Sequence, residues 1–284
     1  MKKTIIRIMS CCALLSVMPF SYANQTLQEN RIEPNTAEQF KSILSEAKLQ
    51  ISDPKGKIGN ITNAAKAGKY AGVMNEHFYV DSTDKTLVFS MSGLRMRSEL
   101  RFMDNFKTGL DDTFYHLSAT LKPVKPDLSI SKSDYKLNEI TYMQVHNSTV
   151  LSDGKSQFPH PLLRIVWKKE RWGIHNHYWA TVKSNTLICK GVDATPDNPD
   201  CNSKESYSFY DLGPWKADKK VHFEIIVGGQ RLIVKRDGET KVNKNISYWD
   251  DQTSYFKAGV YNQFSNGTSK TKFYDLKYWI EKRD

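Results

Sequence analysis

Alternation of apolar and polar side chains, with a period of two residues, is the feature that most limits how this 284-residue chain can fold. Residues two apart share one face of a β-strand, so the alternation is typical of strands buried on one side. It runs through residues 77–80, 86–90, 115–121, 139–146, 162–167, 178–182, 222–227, 231–236 and 255–264. Many short strands without intervening helices predict a single all-β domain, either a two-sheet sandwich or a jelly roll.

The first 48 residues depart from this pattern. Basic residues near the start, an apolar run over residues 8–20 and the small residue Ala23 are typical of a signal peptide covering residues 1–23. We therefore expect export, to the periplasm or the medium, with no membrane attachment once the signal is cleaved. Residues 24–284 would form the single domain, beginning with a lead-in over residues 24–48. Within it, helical spacing predicts one short N-terminal helix from Thr36, its N-cap, to Lys48.

Cleavage at this point leaves Cys189 and Cys201 as the only cysteines. An oxidising compartment favours a disulfide between them, contributing about 2–3 kcal/mol to stability. Two cysteines without nearby histidines are too few ligands for zinc, and His175 and His177 have no clear carboxylate companion. The sequence therefore predicts no metal site and no cofactor.

The chain is basic, with 41 Lys and Arg against 31 Asp and Glu. Removing the three basic residues of the signal lowers the formal net charge from +10 to +7. An exported basic protein tends to meet a polyanion, which is a nucleic acid, an anionic membrane surface or an acidic polysaccharide. Charge alone does not choose among these, and a solvated basic surface would explain it equally well.

Three segments place long hydrogen-bonding side chains on one strand face and mainly apolar ones on the other. The polar faces carry, in chain order, Arg97, Glu99 and Arg101, then Gln144 and His146, then Tyr255, Lys257, Gly259, Tyr261 and Gln263. Each segment alone is compatible with the wet face of an ordinary sheet. Together, however, Arg, Gln, His and Tyr favour planar recognition and proton transfer.

The segments Arg97-Ser98-Glu99-Leu100-Arg101, Gln144-Val145-His146 and 255–263 resemble the three signature segments of the alginate lyases of polysaccharide lyase family 7. They occur in the family's order and with similar spacing. The resemblance implies a β-jelly roll whose concave sheet forms the groove for alginate, an acidic polysaccharide, and a β-elimination reaction. Phe102 departs from the family, in which many members carry an acidic residue there. Val145, where other members carry Ile, implies a preference for mannuronate, and endolytic cleavage is the commoner mode in the family.

The chemistry assigns different roles to four of these residues. The proton on C5 of a uronate is weakly acidic while the adjacent carboxylate is charged, so the site must neutralise that carboxylate. Arg97 offers a bidentate guanidinium and Gln144 an amide donor. Tyr261 would protonate the leaving oxygen, and would also be the base when proton and leaving group share a face, as in mannuronate. His146 would be the base, or a partner of the carboxylate, when they lie on opposite faces, as in guluronate.

Four further residues are predicted to contact substrate: Glu99, Arg101, Lys257 and Gln263. Glu99 is expected to orient Arg97 or Arg101 rather than react. An unperturbed tyrosine has a pKa of about 10, so Tyr261 needs a nearby cation to act as a base, and Arg101 or Lys257 would supply it.

Three other classes of protein compete with this hypothesis. A non-catalytic module for acidic polysaccharides would share the charge and fold but has no need of both His146 and Tyr261. A glycoside hydrolase needs two carboxylates, and the typical Glu-x-Asp-x-Glu strand is absent from the sequence. Binding of nucleic acid would use aromatic side chains such as Trp167, Trp172 and Trp179 for stacking, but core packing or sugar stacking is the favoured role, and no nucleic-acid partner is expected. We expect a monomer.

Overall fold

The computed structural model describes residues 30–57, 60–126, 138–148, 160–186 and 206–283. In chain order, their strands are β1 Arg31–Ile32, β2 Ala47–Ile51, β3 Thr62–Ala65, β4 Phe78–Asp81, β5 Leu87–Ser92, β6 Arg97–Phe102, β7 Phe106–Lys107, β8 Thr113–Val124, β9 Glu139–Asn147, β10 Leu163–Arg171, β11 Ile174–Lys183, β12 Tyr207–Pro214, β13 Val221–Gly228, β14 Arg231–Arg236, β15 Glu239–Asn245, β16 Thr253–Gln263 and β17 Thr268–Lys282. The helix α1 spans Glu38–Glu46, and 3-10 turns span Pro34–Thr36 and Ser247–Trp249.

These strands form two antiparallel sheets. The first sheet has the order β1-β4-β5-β17-β8-β13-β14-β15, and the second has the order β12-β11-β10-β9-β16-β6-β2-β3, with β7 paired to β16. Alternate residues of both sheets point between them, including Leu117 and Phe273 from the first and Leu100, Val145 and Phe256 from the second, all 0% exposed. Each such side chain contributes about 2 kcal/mol through burial. The predicted all-β jelly roll with a short N-terminal helix is confirmed.

The longest strand, β17, was absent from the predicted set. It lies at the centre of the first sheet, between β5 and β8. Its inward positions include Ser269 and Thr271, both 0% exposed, so its apolar alternation is broken. The Ser269 hydroxyl donates to Asn262 Oδ1 at 2.6 Å, which compensates part of the cost of burial. A register shift between Phe273 and Asp275 disturbs the pattern further. A buried polar residue with a tertiary partner is therefore not recognised by hydrophobic alternation.

The predicted helix exists but is shorter. Its apolar face packs into the core as expected. Thr36 lies in the preceding 3-10 turn, where its hydroxyl donates to the Glu33 carbonyl at 2.8 Å, and Ala37 is the N-cap. The prediction of Thr36 as N-cap is thus wrong. The helix ends at Glu46 because the chain becomes extended at Ala47 to pair with β6.

Gly259 allows β16 to lie close against β6. Its φ is +146°, and an added Cβ would lie 2.2 Å from the Ser98 carbonyl oxygen and 2.7 Å from the Glu99 Cα. The register between β16 and β9 shifts between Ala258 and Tyr261, so β16 carries an extra residue there. Such a bulge re-aims the side chains that follow it. The direction of Tyr261 therefore depends on a position that only glycine tolerates.

We expect Gly259→Ala to destabilise the protein by about 3 kcal/mol or more, because backbone atoms of a central strand would have to move. Gly238→Ala is the matched control, since Gly238 also has a positive φ (+85°) but no atom within 4 Å of its added Cβ. Its cost should be about 1 kcal/mol. Urea unfolding measures both, and equal losses would contradict this account of Gly259.

Two predictions fall on other parts of the chain. The signal peptide of residues 1–23 and the disulfide between Cys189 and Cys201 lie outside the described residues. Among the described residues, no helix is long and apolar enough to span a bilayer.

Candidate active site

The three polar segments are neighbouring strands of the second sheet. Strand β16 lies between β6 and β9. Lys257 is opposite Arg101 on one side and Gln144 on the other. Tyr261 is opposite Arg97. The apolar residues that alternate with these polar residues along each strand point into the core. The polar residues therefore share the outer surface of the second sheet, here called the site face.

The buried carboxylate of Glu99 connects these strands. It is 0% exposed. One oxygen accepts a hydrogen bond from Gln144 Nε2, and the other accepts one from Lys257 Nζ at 2.5 Å. Arg97 Nη1 lies 3.6 Å from that second oxygen. A buried carboxylate costs several kcal/mol unless it is paired in this way. Glu99 therefore holds the Gln144 and Arg97 side chains in position for substrate, and it contacts Arg97 rather than Arg101.

Glu99 and Lys257 lie beneath the site face rather than on it. The side chains of both are 1% exposed and are paired with each other. Burial lowers the pKa of Lys257, and the Glu99 carboxylate opposes that shift. This placement does not support the prediction that these two residues contact neighbouring sugars, because each charged group is buried against the other.

Tyr261 lies against a guanidinium group. The Arg97 Cζ is 4.4 Å from the centre of its ring. Burial raises the pKa of Tyr261, while the positive charges of Arg97 and Arg164 oppose the rise. The hydroxyl is therefore protonated at neutral pH and suited to donate a proton. As a base it would first have to lose that proton.

The cation beside Tyr261 is not the predicted one. Arg101 instead lies over the ring of Tyr255, with Cζ 4.1 Å from its centre. Its guanidinium donates to the Phe102 carbonyl at 2.8 Å and to Asn105 Oδ1 at 2.7 Å. Together with the pairing of Lys257 to Glu99, this corrects the prediction that Arg101 or Lys257 would supply the charge near Tyr261.

His146 is held in one orientation by two contacts. Its ring stacks on Tyr255, with centroids 5.2 Å apart and planes 18° apart. Nδ1 lies 3.0 Å from the Asn147 carbonyl oxygen. A carbonyl only accepts, so this geometry assigns the proton to Nδ1 and leaves Nε2 as an acceptor. Burial and the charge of Lys257 lower the pKa of His146 to about 4. At neutral pH it is an uncharged imidazole with a free basic nitrogen.

The sequence did not predict a second guanidinium group near Tyr261, that of Arg164, which is held by a buried carboxylate. Glu139, 0% exposed on β9, accepts from Arg164 Nη1 at 2.6 Å, and Lys168 Nζ lies 3.7 Å from its other oxygen. Gln263, predicted to bind substrate, is paired with Glu139 in the strand register and is 8% exposed. The available signal was Arg164 itself, which interrupts an apolar run inside a predicted strand.

The site face carries more cations than carboxylates. Around the buried Glu139 and the buried Glu99–Lys257 pair it presents Arg97, Arg101, Arg164 and Lys168. Such an excess of positive charge attracts a polyanion. Within the described ranges, no group of three or more His, Cys, Asp or Glu side chains is placed to hold a metal ion.

Comparison with known proteins gives consistent matches. The family profile described as alginate lyase matches residues 44–279. An alginate lyase from a Photobacterium species is 42% identical over 276 residues, which are 96% of this chain and 97% of that protein. The structure of alginate lyase AlyC3 superposes with a TM-score of 0.85 at 42% identity, covering 90% of this chain and 97% of that one. The structure of alginate lyase A1-II′ shows the same fold at 22% identity, with a TM-score of 0.62 and coverage of 85% and 97%.

The jelly roll and its cationic site face, with a neutral imidazole and a phenol on adjacent strands, define a polysaccharide lyase. The chain belongs to the alginate lyase family, polysaccharide lyase family 7, as its three signature segments predicted.

We expect Glu99→Gln to destabilise the protein by about 3–5 kcal/mol, because the buried Lys257 ammonium would lose its counterion. Glu239→Gln is the matched control, since Glu239 pairs with Lys241 at 2.7 Å but is 71% exposed. Surface pairs of this kind contribute about 0–1 kcal/mol. Urea unfolding near pH 7 measures the difference. Similar losses in the two variants would contradict the central role of Glu99.

Proposed function

We propose that this protein depolymerises alginate by endolytic β-elimination, prefers mannuronate, and leaves an unsaturated uronate at the new non-reducing end. The observation that carries the proposal is the Glu99 network, which holds Arg97 and Gln144 beside the two proton-transfer residues. Membership of the alginate lyase family supports the substrate. The alternative is a non-catalytic binding module for an acidic polysaccharide, which would not need a neutral His146 or a directed Tyr261.

The reaction begins when Arg97 and Gln144 hold the carboxylate of the sugar. Their donors lower the cost of the second negative charge that develops when the C5 proton leaves. A base takes that proton, electrons form the C4–C5 double bond, and the glycosidic oxygen leaves C4 with a proton from Tyr261. The protonated state of Tyr261 in the free protein suits this last step.

The base depends on the sugar. In guluronate, the C5 proton and leaving oxygen lie on opposite faces, so Nε2 of His146 takes the proton while Tyr261 donates. In mannuronate they lie on the same face, and Tyr261 serves both steps. It can do so once its own proton has been lost, and the adjacent Arg97 and Arg164 stabilise the resulting phenolate.

Endolytic cutting is supported by the extent of the site face. The second sheet continues for three strands beyond β9 and for two beyond β6. Eight strands at about 4.8 Å spacing span roughly 34 Å, enough for several sugar units on both sides of Tyr261. The preference for mannuronate is supported by Val145, buried behind the site face, and by the structure of AlyC3 in complex with dimannuronate, which is 40% identical to this chain with a TM-score of 0.85.

The proposal also includes export of the protein and its action as a monomer. The predicted signal peptide over residues 1–23 directs the chain to the periplasm or the medium, where polymeric alginate is encountered. The same compartment favours the disulfide between Cys189 and Cys201.

The decisive experiment follows ultraviolet absorbance of the new double bond when the mature protein meets alginate. We expect a steady rise with the wild-type protein. Tyr261→Phe should lower the rate at least about 10³-fold with substrate binding retained, because only the transferable proton is removed. Tyr79→Phe, which removes a hydroxyl from the first sheet, should keep the wild-type rate. No absorbance change with folded wild-type protein would leave the binding-module alternative.

A second experiment separates the two bases. His146→Asn should lower the rate on guluronate blocks by roughly 10²-fold or more, and the rate on mannuronate blocks far less, because only the first needs a base opposite Tyr261. Initial rates on the two block polymers give the ratio directly. An equal loss on both polymers would show that His146 does not act as the base specific to guluronate.

A further inference from the structure

A cavity of about 150 Å³ lies away from the site face. It is lined by Tyr178 and Pro214 of the second sheet, by Val221 and Arg236 of the first sheet, and by three lysines that precede β13. The Tyr178 side chain belongs to the core between the sheets, whereas the site face is the opposite surface of its sheet. The cavity is therefore separate from the residues assigned to alginate.

Tyr178, one of the residues that line the cavity, carries a buried hydroxyl. Tyr178 is 1% exposed, and no hydrogen-bond partner for its hydroxyl occurs among the described residues. A buried hydroxyl without a hydrogen-bond partner destabilises the folded state. Burial raises the pKa of Tyr178 well above its usual value, so the hydroxyl remains a donor at physiological pH. A ligand that accepts a hydrogen bond from the Tyr178 hydroxyl would remove this destabilisation.

Arg236 is built into the wall of the cavity. Nη1 donates to the Leu212 carbonyl at 2.6 Å and Nη2 to the Pro214 carbonyl at 3.0 Å. Gly213 permits this contact, because a Cβ there would lie 2.6 Å from Arg236 Nη1. The guanidinium is thus held by neutral acceptors. Among the described residues, its carboxylate contact is Asp237, 57% exposed, with Oδ2 at 3.3 Å from Nε.

The three lysines in the lining of the cavity add positive charge that no carboxylate in the lining neutralises. Lys216, Lys219 and Lys220 line the cavity, and none forms an ion pair with a carboxylate among the described residues. Lys220 lies over the ring of Tyr274 at 3.6 Å. Asp218 is their acidic neighbour in sequence and is exposed. Four cationic residues and a buried phenol thus surround one small space.

We propose that this cavity is a second anion site, which binds a single small oxyanion through the Tyr178 hydroxyl, Arg236 and the neighbouring lysines. Oxyanions accept charge-assisted hydrogen bonds from guanidinium and ammonium groups, and the planar fork of arginine suits both phosphate-like and carboxylate oxygens. The volume suits one such group and excludes a polysaccharide chain. Two sources share this chemistry, namely an inorganic oxyanion and the carboxylate of a single uronate.

Thermal unfolding of the mature protein tests the proposal, with sodium sulfate, sodium phosphate and sodium glucuronate each compared with sodium chloride at equal ionic strength. Sulfate and phosphate stabilise most proteins by exclusion from their surface, so the informative quantity is the difference between variants. Wild-type protein should gain a shift in Tm that Tyr178→Phe loses. In chloride, Tyr178→Phe should be as stable as wild type or more so, because it removes an unpaired buried hydroxyl.

Two control variants make the comparison specific. Tyr142→Phe removes a neighbouring buried hydroxyl that already accepts from Trp215 Nε1 at 3.3 Å, and it should keep the anion-dependent shift. Lys219→Gln should reduce the shift, whereas Lys277→Gln, with the same loss of charge at an exposed position of β17, should not.

The anion that produces the specific shift identifies the source. A shift with sulfate or phosphate alone assigns an inorganic oxyanion, and one with glucuronate assigns the sugar carboxylate. Equal shifts in wild type and Tyr178→Phe for every anion would overturn the proposal. Because no step measures alginate cleavage, the result is independent of the lyase assay.

Discussion

The pairing of the buried Glu99 carboxylate with Lys257, Gln144 and Arg97 is the interaction on which the rest of the site depends. Each partner comes from one of the three adjacent strands β6, β16 and β9, so the carboxylate also ties the centre of the sheet together. Its negative charge allows a lysine to be buried and a guanidinium to be held at a fixed angle. Preorganised donors of this kind stabilise developing charge without having to reorient during the reaction.

A second buried carboxylate repeats this arrangement on the other side of Tyr261. Glu139 holds Arg164 on β10, as Glu99 holds Arg97 on β6. The two guanidinium groups both act to lower the pKa of Tyr261 against the effect of its burial. The phenol is therefore kept neutral but close to groups that would stabilise its anion. This balance suits a residue that donates a proton in one step and accepts one in another.

Much of this architecture could be predicted because its physical cause is local. Strands such as β8 and β14 show regular alternation, since each buries one apolar face without polar interruptions. Strand β17 was not predicted, because two of its inward positions, Ser269 and Thr271, are polar, and the Ser269 hydroxyl is compensated by contacts with other strands, at Asn262 and the Met91 carbonyl. The N-cap was predicted at Thr36 instead of Ala37. The Thr36 hydroxyl donates to the Glu33 carbonyl in the turn before the helix and does not cap the helix.

The sequence by itself determined the fold class, the family and the side chains that share the site face, because strand alternation and signature segments are properties of neighbouring residues. Only the tertiary structure decided which charges meet. It paired Lys257 with Glu99, placed Arg101 over Tyr255, and brought Arg164 to Tyr261. Register between strands sets these contacts, together with the bulge at Gly259. Register follows from how whole sheets pack, so a single segment does not contain it.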